Sequence, residues 1–417
     1  MNRTTLSIEK DKFLINNKLT YSEIPACKYQ GLLMNTRFVQ GIFEDKLDPK
    51  RFDRFGRNFH AEQNTRDLIA SLPKWYAAGV RGITVGLQGG GACFTIDGNT
   101  IQNNPFSSDG KSLDHSYMNR MESIINAADE IGMVVIVSYF YWSQTRFFKG
   151  EEEIQNAVVT ASTWLKEKGY KNVIIEIANE HNMEGYMKHK ILHQDAGIVT
   201  LIHLAKEASG GIPVGCSGTG GYFSEDIAEA SDVIMIHGNE LTRNQLYNMI
   251  KRAKAIKPMR PIVINEDSQA ISQMEVAIKN GVSWGYYNNM TKQEPPVDWG
   301  ITKGEDQFFT LRLKEYIKNE APKLPLEDQF YLQGLEPNME YEGKRFIRLA
   351  SLYPEKINYV EFYRNDELYE IAYDDPFCIN FIWNWIQGPV EGVKQGEEWK
   401  AIVCLSDGRR IEKSLVV

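Results

Sequence analysis

The strongest constraint on the fold of this chain is a regular alternation of apolar runs and amphipathic segments between residues 36 and 320. Eight short runs are apolar almost throughout, as strands are when both faces of a parallel sheet are buried. They lie at residues 38–43, 82–87, 133–139, 173–178, 212–216, 233–237, 261–265 and 282–287. Segments with helical periodicity follow them, at residues 65–78, 113–131, 151–168, 196–208, 224–230, 243–255, 268–280 and 305–319.

Eight successive strand–helix units predict an α/β fold of the (β/α)8 type, the TIM barrel. The alternative is a doubly wound parallel sheet, which usually has fewer units and a glycine-rich phosphate-binding turn after an early strand. Gly89, Gly90 and Gly91 follow the second predicted strand, but the third spaced glycine and the acidic partner of such a turn are missing. We therefore expect a wide loop there, in a barrel.

The pattern changes on both sides of this region. Residues 1–25 predict a β-hairpin, with strands at 13–15 and 19–21 around a turn at 16–18. After residues 322–325 the chain shows short alternating runs, at 346–352, 359–363, 368–373, 379–382, 401–405 and 411–417. Turn signals such as Asn365-Asp366 and Asp407-Gly408 separate these runs, which is typical of a β-sandwich. The sequence thus predicts a hairpin over 1–25, a barrel over 26–324 and a β-sandwich over 325–417.

The composition excludes several classes of partner. The chain has 47 Lys and Arg against 55 Asp and Glu, a net charge of -8, and shows no basic cluster. Nucleic acids and anionic membranes need such clusters, so neither is an expected partner. No apolar run approaches the roughly 18 residues of a membrane span. The 8 Trp, 20 Tyr and 19 Phe suit flat ligands such as sugar rings.

The N-terminus and the cysteines bear on the compartment. Residues 1–10 contain no apolar stretch of a secretory signal, so we expect a cytoplasmic protein, or a secreted or periplasmic one if a signal has been removed. The five cysteines are widely spaced and form no CxxC motif, which favours free buried thiols over a metal site. A disulfide between Cys378 and Cys404 is the alternative.

Two glutamates lie where the active site of a barrel of this type is built. The fourth apolar run ends in Asn179-Glu180 and the seventh in Asn265-Glu266, and active sites occupy the carboxyl ends of barrel strands. Either glutamate alone would be an ordinary surface residue. Together they form a carboxylate pair, in which one carboxyl protonates a leaving oxygen and the other attacks or activates water.

Other polar and aromatic residues end the neighbouring runs. Gln88, Tyr139, Trp142, His237 and Tyr286 are candidates to bind a substrate, although aromatic rings at these positions also suit core packing. Rival chemistries have weaker support. His189 and His193 lack the glutamate of an HExxH metal site, and residues 215–218 do not match the GxSxG of a serine hydrolase. We expect neither a metal nor a cofactor.

A family resemblance rests on these residues. The segment Val173-Ile174-Ile175-Glu176-Ile177-Ala178-Asn179-Glu180 resembles the fourth-strand signature of glycoside hydrolase family 5, a cellulase-like family of clan A, although His181 stands where proline is usual. The resemblance implies a retaining glycosidase with Glu180 as general acid/base and Glu266 as nucleophile. It also implies that Asn179 binds the sugar 2-hydroxyl and that His237 lies near the nucleophile. Residues 360–383 resemble the immunoglobulin-like modules appended to bacterial glycoside hydrolases.

The resemblance makes a carbohydrate the expected substrate, with β-glycosidic bonds of a β-glucan or related polysaccharide or oligosaccharide as the target. A β-mannan or β-galactan is the alternative within the clan, and a non-catalytic carbohydrate-binding barrel is the alternative outside enzymes. The oligomeric state is open. Retention requires the two carboxyl groups about 5–5.5 Å apart, with the pKa of Glu180 raised and Glu266 ionised. Strand alternation puts Glu176 inside the barrel, where we expect a partner such as Arg37 or Arg81.

Overall fold

The structure, a computed structural model, describes residues 3–90 and 95–417. A small antiparallel sheet precedes a long α/β region, and antiparallel β-sheets follow it. The predicted combination of mixed α/β structure with C-terminal β-sheets is thus confirmed. Gly91, the last of the three glycines, and Cys93 lie outside the described residues. Among the residues described, none of the helices has the length and apolar character needed to span a membrane.

The N-terminal sheet has one more strand than the predicted hairpin. Its strands are β1 (Leu6–Glu9), β2 (Lys12–Ile15) and β3 (Lys18–Leu19), joined in that order. Phe13 of β2 is fully buried in an apolar cluster with residues near the starts of the parallel strands, including Val134 and Ile174. The small sheet therefore covers the end of the parallel strands opposite their carboxyl ends.

The α/β region is built on parallel strands whose sequence neighbours are also spatial neighbours. Its strands are β4 (Asn35–Arg37), β5 (Gly82–Gly86), β6 (Val134–Phe140), β7 (Val173–Ala178), β8 (Val214–Gly215), β9 (Ile234–His237), β10 (Ile262–Glu266) and β11 (Gly285–Tyr286). Six of them pair in the order β11-β4-β5-β6-β7-β8, and β9 pairs with β10. A parallel bridge joins Val263 to Ser283, and the Asp232 N–H donates to the Val214 carbonyl at 2.8 Å.

The longer helices lie close to their predicted positions, whereas two four-residue helices, at Lys190–His193 and Asn289–Lys292, were not predicted. Those found in the described residues are α1 (Ala61–Ala77), α2 (His115–Ile131), α3 (Glu151–Lys168), α4 (Lys190–His193), α5 (Asp195–Ser209), α6 (Glu225–Ala230), α7 (Arg243–Ala255), α8 (Ile271–Lys279), α9 (Asn289–Lys292) and α10 (Glu305–Lys318). The predicted first strand at 38–43 is wrong, because β4 ends at Arg37. Phe38 lies beyond it and packs edge-on against Trp75 and Trp299, so its apolar character reflects loop packing.

The C-terminal region consists of three antiparallel sheets. Its strands are β12 (Phe330–Gln333), β13 (Glu340–Tyr341), β14 (Lys344–Arg345), β15 (Arg348–Ser351), β16 (Ile357–Arg364), β17 (Glu367–Ala372), β18 (Phe377–Cys378), β19 (Val390–Glu391), β20 (Glu398–Leu405) and β21 (Arg410–Val416). The predicted run at 379–382 is not a strand, and β12 was not predicted. Cys27, Cys216, Cys378 and Cys404 are buried and free, so the alternative disulfide does not form.

The C-terminal region packs tightly on the α/β region. Arg348 of β15 pairs with Glu305 at the start of α10, with 2.8 Å between Nε and Oε1. The Tyr341 hydroxyl of β13 donates to the Met290 carbonyl at 2.9 Å. Both contacts are buried, so the two regions share a structured interface rather than a flexible link.

Candidate active site

The carboxyl ends of β7 and β10 carry the two predicted glutamates. Glu180 follows β7 in a left-handed conformation with φ +53°, and its N–H donates to the Ser217 hydroxyl at 3.2 Å. Glu266 is the last residue of β10 and lies opposite His237 in the pairing with β9. Left-handed backbone is costly for a residue with a side chain, and such conformations concentrate at functional sites.

The two carboxyl groups lie close together. Oxygens of Glu180 and Glu266 and a ring nitrogen of His237 lie within 4.8 Å of one another. His237 Nδ1 is 3.0 Å from Glu180 Oε1 and 3.9 Å from Glu266 Oε2. Asn239 Nδ2 donates to Glu266 Oε1 at 3.1 Å and lies 3.4 Å from Glu180 Oε1. The geometry therefore agrees with the prediction that the two glutamates face one site. Asn239 also belongs to this site, although the sequence analysis does not predict it as a site residue.

Arg37 at the end of β4 completes the cluster. Its Nε lies 2.6 Å from Glu266 Oε2, and its Nη2 donates to Asn179 Oδ1 at 2.5 Å. Arg37 and Glu266 are almost fully buried, at 2% and 5% exposed. A buried carboxylate without a cation would be strongly disfavoured, so Arg37 is the group that allows Glu266 to ionise. It also fixes the amide of Asn179 beside the pair.

The electrostatics of the pair differ from the expectation. Burial raises the pKa of Glu266 to about 7, although Arg37 and His237 act against it. Burial also acts to raise the pKa of Glu180, but the hydrogen bond and charge of His237, with Arg37 and Asn239, hold it below its usual range. Burial disfavours the charged imidazole, yet Glu266 and Glu180 raise the pKa of His237. The reason for the difference is that His237 contacts Glu180 more closely than Glu266.

Glu176 lies beneath both glutamates. Its fully buried carboxylate accepts hydrogen bonds from the Ser217 hydroxyl at 2.6 Å and from Asn265 Nδ2 at 2.7 Å. Ser217 also binds the Glu180 N–H, and Asn265 immediately precedes Glu266. Of the two expected partners, Arg37 interacts with Glu176 through its charge alone. Glu176 thus anchors the backbone segments that carry both members of the pair.

Arg81, the other expected partner of Glu176, is engaged elsewhere. Its Nη2 lies 2.9 Å from Glu23 Oε1. Arg81 stands just before β5, at the amino-terminal end of the parallel strands, whereas Glu176 lies near the carboxyl end of β7. That part of the expectation is wrong, because the two residues lie toward opposite ends of the strands.

Two of the predicted substrate-binding residues, Gln88 and Tyr139, lie in the interior of the protein. Gln88 is fully buried, accepts from the Tyr141 N–H at 2.8 Å and donates to Asn104 at 3.0 Å. The Tyr139 hydroxyl pairs with Ser162 of α3 at 3.1 Å, which directs the ring toward the helices. Their polar groups already have partners inside the protein, so contact of these two residues with a substrate stays a prediction that the geometry does not favour.

Tyr286 is buried in the same way, whereas Trp142 reaches the surface. The Tyr286 ring stacks on Phe309 with 4.2 Å between centroids, and its hydroxyl donates to Asp306 at 2.9 Å. Trp142 is partly exposed in the loop after β6, beside the Tyr141 ring. Its indole lies against Gly185 so closely that a side chain there would clash. Trp142 therefore has a fixed position on the loop surface at the carboxyl ends of the strands.

Glu180, His237 and Glu266 have the spacing of a possible cation site. Two carboxylates and an imidazole are common ligands of transition metals. The Arg37 guanidinium, however, already lies 2.6 Å from Glu266 and would repel a metal cation at that position. Among the described residues, the arrangement suits proton transfer and nucleophilic attack better than metal binding.

Comparison with known protein families gives a match over part of the chain. Residues 51–204, which include Glu180 but not Glu266, match the family profile described as Cellulase (glycosyl hydrolase family 5). That family implies glycoside hydrolase activity and a carbohydrate substrate. No curated protein matches the chain significantly.

Solved structures also resemble the chain, at low sequence identity. A candidate glycoside hydrolase from Bacteroides vulgatus ATCC 8482 superimposes with a TM-score of 0.53 at 11% identity, covering 89% of this chain and 76% of that one. A GH5-4 broad specificity endoglucanase from Bacteroides salanitronis gives 0.48 at 12% identity, covering 75% and 98%. A β-glucuronidase from Bacteroides uniformis gives 0.46 at 9% identity, covering 99% of this chain and 48% of its own length. Residues 51–204 are thus similar to the cellulases of glycosyl hydrolase family 5, and the β-rich C-terminal region fits an immunoglobulin-like domain.

Proposed function

We propose that this chain is a retaining glycoside hydrolase that cleaves β-glycosidic bonds of a β-glucan or related glycan by double displacement. The observation that supports this most is the carboxylate pair, whose oxygens lie within 4.8 Å of each other at the ends of β7 and β10. Retaining glycosidases have carboxyl groups about 5–5.5 Å apart, whereas inverting ones need roughly 6.5–9.5 Å to admit a water molecule. A protein that only binds carbohydrate has no need of such a pair.

The first step uses both glutamates at once. The Glu266 carboxylate attacks the anomeric carbon and forms a glycosyl ester, while the Glu180 carboxylic acid donates its proton to the departing oxygen. In the second step Glu180 removes a proton from water, which attacks the same carbon and releases Glu266 as the carboxylate. The chain's own groups thus supply both the nucleophile and the proton.

The surrounding residues prepare the pair for these roles. Arg37, 2.6 Å from Glu266, favours the ionised nucleophile and orients one of its oxygens. Asn239 holds the other oxygen, so the carboxylate approaches from a fixed direction. Asn179, fixed by Arg37, is the candidate to bind the sugar 2-hydroxyl, and His237 compensates charge on Glu180 between the two steps.

We further propose that β4 to β11 form a closed (β/α)8 barrel as the catalytic domain over 26–324, between the hairpin of 1–25 and the immunoglobulin-like domain of 325–417. The pairing of β11 with β4 and the bridge from Val263 to Ser283 support closure. The hydrogen bond from Asp232 to Val214 supports contact between β8 and β9. In such a barrel the carboxyl ends of all eight strands surround one site.

The substrate class follows from the charge and the aromatic residues. A neutral glycan needs no basic surface, which agrees with the net charge of -8. Tyr141 and Trp142 are partly exposed in the loop that follows β6, and Trp142 packs on Gly185 of the loop that follows β7. A ring in this position can stack on a sugar face. We favour a β-glucan over a β-mannan or β-galactan, in line with the similarity to cellulases.

The test of this function is a panel of β-linked polysaccharides and oligosaccharides with sizing of the products. The proposal expects reducing ends to appear from at least one β-glucan, and the product sizes separate endo from exo action. Turnover of only a mannan or galactan would move the substrate to the alternative. Tight binding without any hydrolysis across the panel would favour the carbohydrate-binding alternative and contradict the enzyme.

The pH dependence of hydrolysis should follow the shared titration of the pair. Two carboxyl groups this close titrate together, and the active form carries one proton between them. The upper pKa of the pair, about 7 and carried by Glu266 in the free protein, marks the loss of that shared proton. The proton must lie on Glu180 when Glu266 attacks, so kcat/KM should fall as the pH rises through about 7. Because the pKa of Glu180 is lowered, the acid limb of the pH profile should lie below the usual pKa range of a glutamate. A kcat/KM that still rises between roughly pH 7 and 9 would contradict this assignment.

A further inference from the structure

A turn of the C-terminal region reaches the loop that follows β9. Within residues 380–388, the N–H groups of Ile382 and Trp383 both donate to the Ile386 carbonyl, at 3.1 and 2.9 Å. A β-bridge between Phe381 and Gln387 closes the turn. Its side chains at 381–383 are exposed, whereas Asn384 at the tip is buried at 7% exposure. We name this segment the tip turn.

Asn384 makes three hydrogen bonds to the backbone of the loop at residues 238–241, here named the β9 loop. Its Oδ1 accepts from the Glu240 N–H at 2.6 Å. Its Nδ2 donates to the carbonyls of Gly238 and Leu241, at 3.2 and 3.1 Å. Glu240 has a left-handed conformation with φ +67°, which its own side chain disfavours. Contacts from another part of the chain are what hold such a conformation in place.

The β9 loop carries the groups that join the catalytic pair. Asn239, between two of the residues that Asn384 binds, donates to Glu266 at 3.1 Å and lies 3.4 Å from Glu180. His237 immediately precedes the loop and contacts Glu180. On the other side of the loop, Gly238 leaves no space for a side chain against the Asp267 carboxyl. The loop therefore lies between the tip turn and β10, and its position determines where Asn239 points.

A second contact fixes the tip turn itself. The Trp385 carbonyl accepts from Asn289 Nδ2 at 2.5 Å, and Asn289 begins α9 just after β11. The tip turn is thus bound to loops that follow two different strands, β9 and β11. Both loops lie at the carboxyl ends of the strands, on the side of the two glutamates.

We propose that Asn384 of the C-terminal region is a positioning residue for hydrolysis, which makes that region part of the active site. It holds the β9 loop in the conformation in which Asn239 binds both glutamates and His237 faces Glu180. This inference rests on the proposed function, since it concerns the same pair. Without Asn384, the Glu240 N–H loses its partner, and two carbonyls of the loop each keep only one hydrogen bond. We expect Asn239 to move away from the carboxylates as a result.

The test compares Asn384→Ala with Tyr341→Phe in the full chain, on the best substrate of the panel. Tyr341→Phe also removes a buried hydrogen bond between the two regions, the one to Met290, but it does not touch the β9 loop. We expect Asn384→Ala to lower kcat by about 10- to 100-fold, since displacement near 1 Å costs that much. Its basic pH limb should move to higher pH, because Asn239 and His237 no longer favour the ionised pair. Tyr341→Phe should keep the wild-type kcat and pH profile.

The outcomes separate this proposal from a structural role and from failure of the proposed function. Lower thermal stability of Asn384→Ala with an unchanged kcat per folded molecule and an unchanged pH profile would overturn it. Wild-type kcat in Asn384→Ala would do so too. Equal losses of kcat in both variants would indicate a general effect of the interface and would also overturn it. The proposed function is tested separately: the wild-type protein should hydrolyse the substrate, and Glu266→Ala should abolish that hydrolysis. A wild-type protein without any hydrolysis would contradict the proposed function rather than the role of Asn384.

Discussion

Replacing Glu266 with alanine should abolish hydrolysis of aryl β-glycosides and β-glucans, with kcat reduced by at least about a thousandfold. Loss of a nucleophile removes a covalent step that no neighbouring group can supply, and such losses commonly reach several orders of magnitude. The measurement is kcat on an activated aryl β-glycoside, together with circular dichroism to check the fold. Wild-type-like turnover by a folded Glu266→Ala variant would contradict the nucleophile assignment.

The control for this experiment must account for Arg37. Removing Glu266 leaves a buried guanidinium without its 2.6 Å partner, which itself destabilises a protein. Glu266→Gln retains the size of the side chain and should be equally inactive. Glu305→Gln offers a matched control, because Glu305 is a buried glutamate paired with an arginine, Arg348, outside the candidate site. The folded fraction of the Glu305→Gln protein should retain its hydrolytic activity.

The second large effect is expected from Glu180→Gln, and it should depend on the leaving group. Glutamine cannot donate a proton, so substrates with a poor leaving group, such as alkyl glycosides and polysaccharides, should slow by about 100- to 10,000-fold. Activated aryl glycosides, whose leaving oxygen departs without protonation, should slow far less in the first step. Comparing kcat/KM for the two substrate classes measures this difference. Equal slowing of both classes would argue against an acid/base role for Glu180.

Much of the fold could be predicted because strands and helices of the α/β region leave strong periodic signals. The run at 173–178 coincides with β7, and the helical segments at 151–168 and 243–255 coincide with α3 and α7. The predicted first strand lies too late in the chain, because Phe38 is apolar for a different reason, namely packing against Trp75 and Trp299. The extra N-terminal strand and β12 are short, and short strands carry little periodic signal.

The candidate site was predicted only in its central pair. The positions of Glu180 and Glu266 follow from the rule that barrel active sites lie at strand ends. The sequence does not indicate Arg37 as the partner of Glu266, because the predicted first strand begins at residue 38, after the actual strand β4 has ended. Gln88, Tyr139 and Tyr286 were proposed as binding residues from sequence position alone, which does not reveal that their polar groups are used internally.

Two properties of the site depend on distances that no single sequence provides. The relative pKa values of the two glutamates follow from where His237 points, and its Nδ1 lies closer to Glu180 than to Glu266. The contact of Asn384 with the β9 loop joins residues about 145 positions apart and depends on how the C-terminal region packs. Asn239 offers a signal, since it lies two residues beyond the end of β9, near where Asn179 lies just beyond the end of β7.

The central claim is that Glu180 and Glu266 act by double displacement, and the most direct test is the stereochemistry of the product. Proton NMR of the first sugar released from a β-glycoside, recorded before mutarotation, distinguishes the anomers. Double displacement inverts the anomeric carbon twice, so the β-anomer should appear first. The α-anomer as the first product would show a single displacement and would contradict the account.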